Sequence, residues 1–184
     1  MLENSFSPFP VLHTKRLLLR QITEADSLAI FTLRSAGPTM EFLDKAPLQT
    51  EAEALFLIKK INDDVAGNNG ITWGIALKET PEILIGTIGF WRIIKEHYRA
   101  EIGYMLLPQF CRMGYMKEAI NKTIAYGFTN MHLHSIEANI NPFNIASEAL
   151  LLSTGFVKEA HFREDFYFEG SFKDSAIFSL LNKS

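Results

Sequence analysis

The sequence predicts one α/β domain over residues 1–184, built on a mixed sheet with about four flanking helices. Two features of the pattern and one of the bulk composition carry this expectation. Strand-like apolar runs come as a group and then alternate with helical patterns, which gives a mixed sheet rather than a fully parallel one. The helical patterns repeat apolar residues three and four positions apart, bounded by capping and breaking signals. With 184 residues, 47% hydrophobic and 21% charged, the chain can enclose a sizeable core and has a globular composition. Its fifteen phenylalanines point to an aromatic-rich interior.

The first strand is expected over Thr14–Gln21, where Leu17-Leu18-Leu19 lies between Arg16 and Arg20. Thr23 then serves as a helix N-cap, with Glu24 and Asp26 in the first turn beside unpaired backbone N–H groups. That helix carries Leu28, Ile30, Phe31 and Leu33 and breaks at Gly37-Pro38. Thr50 and Glu53 form a capping box ahead of Ala54, Leu55, Leu57, Ile58 and Ile61, and this second helix runs out in Gly67-Asn68-Asn69-Gly70. Strands Ile71–Lys78 and Ile83–Ile94 flank a turn at Glu79–Glu82, and a third strand, Arg99–Leu107, is stopped by Pro108. A helix follows Gly114 with Ala119, Ile120, Thr123, Ile124 and Phe128 on one face. His134–Ala138 is a short strand and Ile145–Ser153 a helix closed by Gly155. The final strands are Phe156–Phe162 and, after the turn Glu169-Gly170, Ser171–Leu181.

A net charge of −3 argues against a dedicated nucleic-acid binder. The single cysteine, Cys111, cannot form an internal disulfide, so no oxidising compartment is implied. Met1–Val11 lacks a signal-peptide pattern, and no run approaches the roughly 20 apolar residues of a membrane helix. The expectation is a cytoplasmic protein with neither nucleic-acid nor membrane partners. It is a monomer or a homodimer, with the final hairpin offering strand ends that could pair between copies.

The most informative segment is Gln109-Phe110-Cys111-Arg112-Met113-Gly114-Tyr115-Met116, between a strand and a helix. Such a turn aims backbone N–H groups outward at a helix N-terminus, a site suited to phosphate. Gly114 permits close backbone approach, and Arg112 can add charge-assisted bonds to a diphosphate. Alone, the pattern is equally compatible with a plain structural loop. A second segment, Asn144-Ile145-Ala146-Ser147, opens the helix that ends in Gly155-Phe156.

Together these segments resemble the GNAT superfamily of N-acetyltransferases, especially its RimJ/RimL-type branch. The first loop resembles the acetyl-CoA pyrophosphate signature, [Gln/Arg]-x-x-Gly-x-[Gly/Ala]. Ala100-Glu101-Ile102-Gly103-Tyr104 resembles the strand before it, and Asn144, Ser147, Gly155-Phe156 and Asp174 the elements after it. The likeness runs from about Lys15 to Leu181. It implies a mostly antiparallel, splayed sheet and transfer of acetyl from acetyl-CoA to a primary amine by direct attack. The backbone of Tyr104, Met105 and Leu106 would hold the pantetheine arm, with an N–H of Met105 or its neighbour near the thioester oxygen. Arg112, Met113, Gly114, Tyr115 and Met116 would hold the pyrophosphate. Asn144 would position the cofactor or a bound water, and Ser147 would contact the sulfur. Two positions depart from the family pattern: Arg112 replaces the signature's first glycine, and Leu151 replaces the tyrosine that many members use as general acid. The acid must come from elsewhere or be water.

Glu101 is the first choice for general base, directly or through water, because it stands in an otherwise apolar strand where partial burial would raise its pKa. The alternative is an exposed carboxylate on an edge strand. For Ser147 the alternative is a helix-start serine satisfying a backbone N–H. The acceptor is expected to be a protein N-terminus; a small amine (polyamine, amino acid or amine toxin) is the alternative. A degenerate acyl-CoA-binding sensor is a further one. Glu159, Glu164, Asp165, Glu169 and Asp174, among Phe162, Phe166, Tyr167 and Phe168, would suit a cationic amine if they line the acceptor side. No metal site is expected: His132 and His134 form His-x-His without a convincing third ligand. Cys111 lacks a base, no Cys/His or Ser/His constellation argues for an acyl-enzyme, and Lys15, Arg16 and Arg20 read as flanking an exposed strand face.

Overall fold

A computed structural model describes residues 1–35 and 37–183. In chain order the elements are β1 (Leu12–His13), β2 (Leu17–Arg20), α1 (Ser27–Arg34), α2 (Glu51–Ala66), β3 (Ile71–Leu77), β4 (Thr80–Ile94), β5 (Arg99–Leu106), α3 (Tyr115–Thr129), β6 (Ser135–Ile140), α4 (Ile145–Ser153), β7 (Val157–Phe168) and β8 (Ser171–Leu181). The strands form one sheet in the order β1-β2-β3-β4-β5-β6-β8-β7. Only β5 and β6 run parallel; all other neighbours are antiparallel. The mixed, mostly antiparallel sheet with four helices is therefore as expected.

Helix pairs cover the two faces. α1 and α2 bring Ile30, Leu33, Ala54 and Ile58 onto Ile22, Leu84 and Leu107. On the other face, α3 and α4 bring Met116, Ala119, Ile120 and Leu151 onto Trp73, Ile88, Phe90 and Phe178. α3 approaches the sheet closely at Gly127, where a Cβ would lie 2.8 Å from the tip of the Phe90 ring. Leu28 and Leu55, expected on apolar faces, are instead exposed.

Local chemistry moved several boundaries. The first expected strand does not begin at Thr14: the Thr14 N–H and hydroxyl donate to the Leu17 carbonyl, and this turn joins β2 to β1, a two-residue strand outside the expected span. α1 is preceded by a 3-10 turn over Glu24–Asp26, where the Asp26 carboxylate accepts the Thr23 N–H at 2.8 Å and a two-pronged pair from Arg20 at 2.9 and 2.7 Å. At α2, Thr50 accepts the Glu53 N–H, while the Glu53 carboxylate reaches back to the Gln49 N–H at 2.8 Å, one residue before the usual capping-box position. β4 begins at Thr80, and the residues between its Thr80 and Leu84 pairings bulge out, which accommodates Pro81 without a ladder N–H. β7 runs on to Phe168 because the β7–β8 ribbon continues with a register shift between Phe162 and Phe166, largely exposed and so without an apolar signature.

The sheet opens at its one parallel pair. Arg99, Ala100 and Glu101 pair with Ser135, Ile136 and Glu137, and there the β5–β6 ladder stops. β5 stays paired to β4 as far as Leu106, so its other edge, from Ile102 to Leu106, has no ladder partner among the described residues.

Candidate active site

The splay between β5 and β6 floors a cleft of about 600 Å³. Glu101, Tyr104, Met105, Asn144 and Ser147 all line it. Leu106 and Arg112–Met116 do not; they lie beyond it, along β5 and in the loop that follows.

Glu101 sits at the vertex of the splay, in the last register position shared with Glu137. It is 5% exposed, so the exposed-carboxylate alternative does not hold. Burial pushes its pKa up, opposed by Arg92, whose Nη1 lies 3.1 Å from Oε2, and more weakly by Lys45 and Arg99. Arg92 is brought there by an irregularity in β4: the register shifts between Trp91 and Ile94, and Arg92 adopts φ +47. A non-glycine residue held in the left-handed region is a local strain that the surrounding ladder must support.

Three positions along β5, the Tyr104 hydroxyl lies 2.6 Å from the Ser147 hydroxyl. Burial raises the phenol pKa to about 12, so Tyr104 stays protonated and can donate. Asn144, not Ser147, caps α4, accepting the Ser147 N–H at 3.0 Å. The Ser147 side chain is thereby left to face Tyr104 and the cleft. Leu151 is wholly buried in the core, so this position offers no acid.

After a 3-10 turn at Pro108–Phe110, the loop places Arg112 at φ +63 and Gly114 at φ +79. Arg112 therefore adopts the left-handed conformation despite its Cβ. Successive backbone N–H groups in such a turn can form an anion-binding nest, and the first N–H groups of a helix have no intrahelical partner. The underside of the loop is fastened to the β1–β2 turn. Arg16 donates to the Met113 carbonyl at 3.0 Å and lies 4.4 Å over the Tyr115 ring. Glu118 accepts from the Thr14 hydroxyl and from the Arg16 backbone and side chain at 2.6–2.7 Å. Arg16 is thus a loop clamp rather than a strand-flanking charge, and Arg20 is the partner of buried Asp26. Arg112, Met113 and Gly114 are exposed, whereas the Met116 side chain is buried, leaving only its backbone for a ligand. A free strand edge, a nest of donors and a Cβ-free Gly114 fit a long cofactor with amide and diphosphate groups.

The acidic tail residues do not line the cleft as a group; only Asp174 does. Its carboxylate is engaged by His161 Nε2 at 2.8 Å and the Glu164 N–H at 2.9 Å. Asp165 bonds Ser175, Glu159 bonds Ser179, and Glu164 and Glu169 are exposed on the ribbon. Arg34, Lys45, Trp91 and Arg92 do line the cleft, although no sequence motif marks them. His132 and His134 are exposed before β6, and no group of three or more His, Cys, Asp or Glu among the described residues could hold a metal ion. Nor is any described helix long and apolar enough to cross a membrane.

A sheet opened at its one parallel pair, with a donor nest beyond one end of the opening and a buried carboxylate at its vertex, defines an N-acetyltransferase. The chain belongs to the GNAT acetyltransferase family, whose domain model matches residues 16–157. It is 38% identical over 173 residues to the uncharacterized N-acetyltransferase YoaA of Bacillus subtilis, covering 94% of this chain and 97% of the relative. It is 30% identical to the [ribosomal protein uS5]-alanine N-acetyltransferase of Escherichia coli, over 53% of this chain and 50% of that one. The solved spermidine N-acetyltransferase of Vibrio cholerae in complex with CoA and spermine superposes with a TM-score of 0.78 at 25% identity, covering 90% of this chain and 95% of that chain.

Proposed function

We propose that the protein transfers acetyl from acetyl-CoA to the N-terminal amine of a protein by direct attack, with Glu101 as general base. The observation that carries this reading is the position of Glu101, buried at the vertex of the β5–β6 opening, on the same strand whose free edge continues toward the donor nest. When bound, acetyl-CoA supplies a thioester whose acyl carbon accepts the amine lone pair as the C–S bond breaks. The chain's own residues meet the remaining requirements. The free edge at Tyr104, Met105 and Leu106 offers backbone groups to the pantetheine amides, with an N–H at or next to Met105 for the thioester oxygen. The backbone of Arg112–Met116 and the Arg112 side chain take the diphosphate.

An ammonium has no lone pair, so the acceptor must lose a proton first. Glu101, its carboxyl pKa raised by burial, takes that proton directly or through one water. The departing sulfur is stabilised by the Tyr104–Ser147 hydroxyl pair, in which Tyr104 remains a neutral donor. Asn144 acts by fixing the start of α4 and hence Ser147.

A small polyamine acceptor is the second reading, supported by the likeness to the spermidine enzyme. The absence of Glu159, Glu164, Asp165 and Glu169 from the cleft lining weighs against it. Titration calorimetry with acetyl-CoA, on wild type and Gly114→Glu, tests the cofactor site. Wild type should bind in the micromolar range, and the variant at least about tenfold more weakly through charge repulsion in the nest. A thiol-release assay with N-terminal peptides and spermidine tests the acceptor: turnover of spermidine alone replaces the first reading by the second, and failure of a folded wild type to bind acetyl-CoA refutes both.

A further inference from the structure

Among the cations that line the cleft, Arg34, Lys45 and the exposed Lys60 have no carboxylate hydrogen bond or ion pair among the described residues. Arg34, at the end of α1, is half-buried, and its Nε is sealed from solvent without a hydrogen-bond partner among the described residues. Lys45, in the segment between α1 and α2, keeps much of its length exposed, with its ammonium 4.7 Å over the Trp91 ring. Both line the cleft, and they are near enough that the charge of Arg34, after partial desolvation, adds to lowering the Lys45 pKa.

The neighbouring carboxylates are committed elsewhere or stand at the rim. Glu101 is close enough for Lys45 to feel its charge, but its hydrogen bond goes to Arg92. Asp174 is held by His161 and the Glu164 N–H, and Asp44, which also lines the cleft, feels the charge of Lys173. Asp64 is exposed, as is Lys60 beside it. Two cations that face one cleft and feel each other's charge are unfavourable by themselves and become favourable once an anion enters it. The diphosphate is not that anion, because the Arg112–Met116 nest does not belong to the cleft lining.

We propose that Arg34 and Lys45 form an anion subsite on the acceptor side of the cleft, selecting N-termini that carry an acidic side chain within their first few residues. This rests on the protein N-terminus reading above and specifies it: the amine goes to Glu101 at the vertex, and the acidic side chain goes to α1 and the segment that follows it. Arg34 gives the planar, directional donor, and Lys45 adds a point charge positioned by Trp91.

The test uses two hexapeptides, identical except for Asp or Asn at positions two and three, with spermidine as a third acceptor. Each peptide is titrated calorimetrically into the CoA-loaded protein and assayed by thiol release. The Asp peptide should be favoured by about 10- to 100-fold in kcat/KM, mostly through KM, as expected for one or two charge-assisted hydrogen bonds. Arg34→Met and Lys45→Met should each reduce that preference, and the double variant should abolish it while its affinity for acetyl-CoA is retained. Arg34→Lys should keep part of it. Equal binding and turnover of the two peptides, or a preference that survives the double substitution, overturns the subsite and leaves the N-terminal acceptor reading standing. Spermidine used better than both peptides overturns that reading and the subsite with it.

Discussion

Replacing Glu101 by Gln separates a catalytic carboxylate from a structural one, because the two roles move stability in opposite directions. A general base contributes about 10²- to 10⁴-fold, or ~2.7–5.5 kcal/mol of transition-state stabilisation. The Glu101 side chain is 6% exposed, so bulk water cannot readily take over its task, and the loss in kcat/KM should fall toward the larger end. Burial, opposed only in part by Arg92, raises the folded pKa above its unfolded value. The stability linked to this proton is therefore fully present below the unfolded carboxyl pKa and is lost as pH rises through the folded one. Gln is neutral throughout and escapes that loss, while Arg92, 62% exposed, stays solvated. The variant should thus unfold no earlier than wild type at pH 8, and its advantage should shrink on acidification. The assays are a pH profile of kcat/KM at saturating acetyl-CoA and thermal unfolding across the same range. A fall in rate of less than about 5-fold would refute the base assignment, and so would a parallel loss of stability, which marks a structural carboxylate.

Two further outcomes follow from the same geometry. Arg20→Met strands Asp26, whose side chain is 2% exposed, and should cost about 3–5 kcal/mol, lowering Tm by roughly 6–20 °C for a chain of this size. Burial alone would raise the Asp26 pKa, but the Arg20 guanidinium and the Thr23 N–H outweigh it and hold it below the usual range. The stability it confers is present above the unfolded carboxylate pKa and lost as pH falls through the folded one, so the variant should flatten the acid side of the stability curve; an unchanged acid side refutes the pairing argument. Tyr104→Phe removes the hydroxyl facing Ser147 and should lower kcat about 10-fold, the worth of one hydrogen bond made in the transition state. With a phenol pKa of about 12, Tyr104 does not titrate in the assay range, so a shifted alkaline limb in the variant would contradict its role as a neutral donor.

The sequence by itself determined the element order from β2 onward, the four helices, the mixed sheet and the loop before α3, because each rests on local rules. Periodicity, the cap at Thr50 and Gly114 are properties of a few consecutive residues, and the family signature is a contiguous string. Boundaries shifted where a side chain found a partner that interrupted the periodic pattern, as when Thr14 turned back on Leu17 or Asp26 paired with Arg20. The β7–β8 ribbon was too short in the sequence reading because an exposed ribbon carries no burial pattern.

Only the tertiary structure decided which groups meet. Whether Glu101 is wet or buried depends on where the β5–β6 ladder ends, and no residue of β5 encodes that. The Tyr104–Ser147 contact joins residues 43 positions apart, and Arg92 reaches Glu101 only because β4 slips register. Arg34 and Lys45 come from a segment without any motif, and that no described carboxylate bonds either of them is visible only in the folded chain. Of the tail carboxylates only Asp174 reaches the cleft; Glu159 and Asp165 bond serines of the ribbon, and Glu164 and Glu169 are exposed on it. Charge and spacing in sequence fix what a residue can do; burial and approach, which follow from the packing of distant strands and helices, fix what it does.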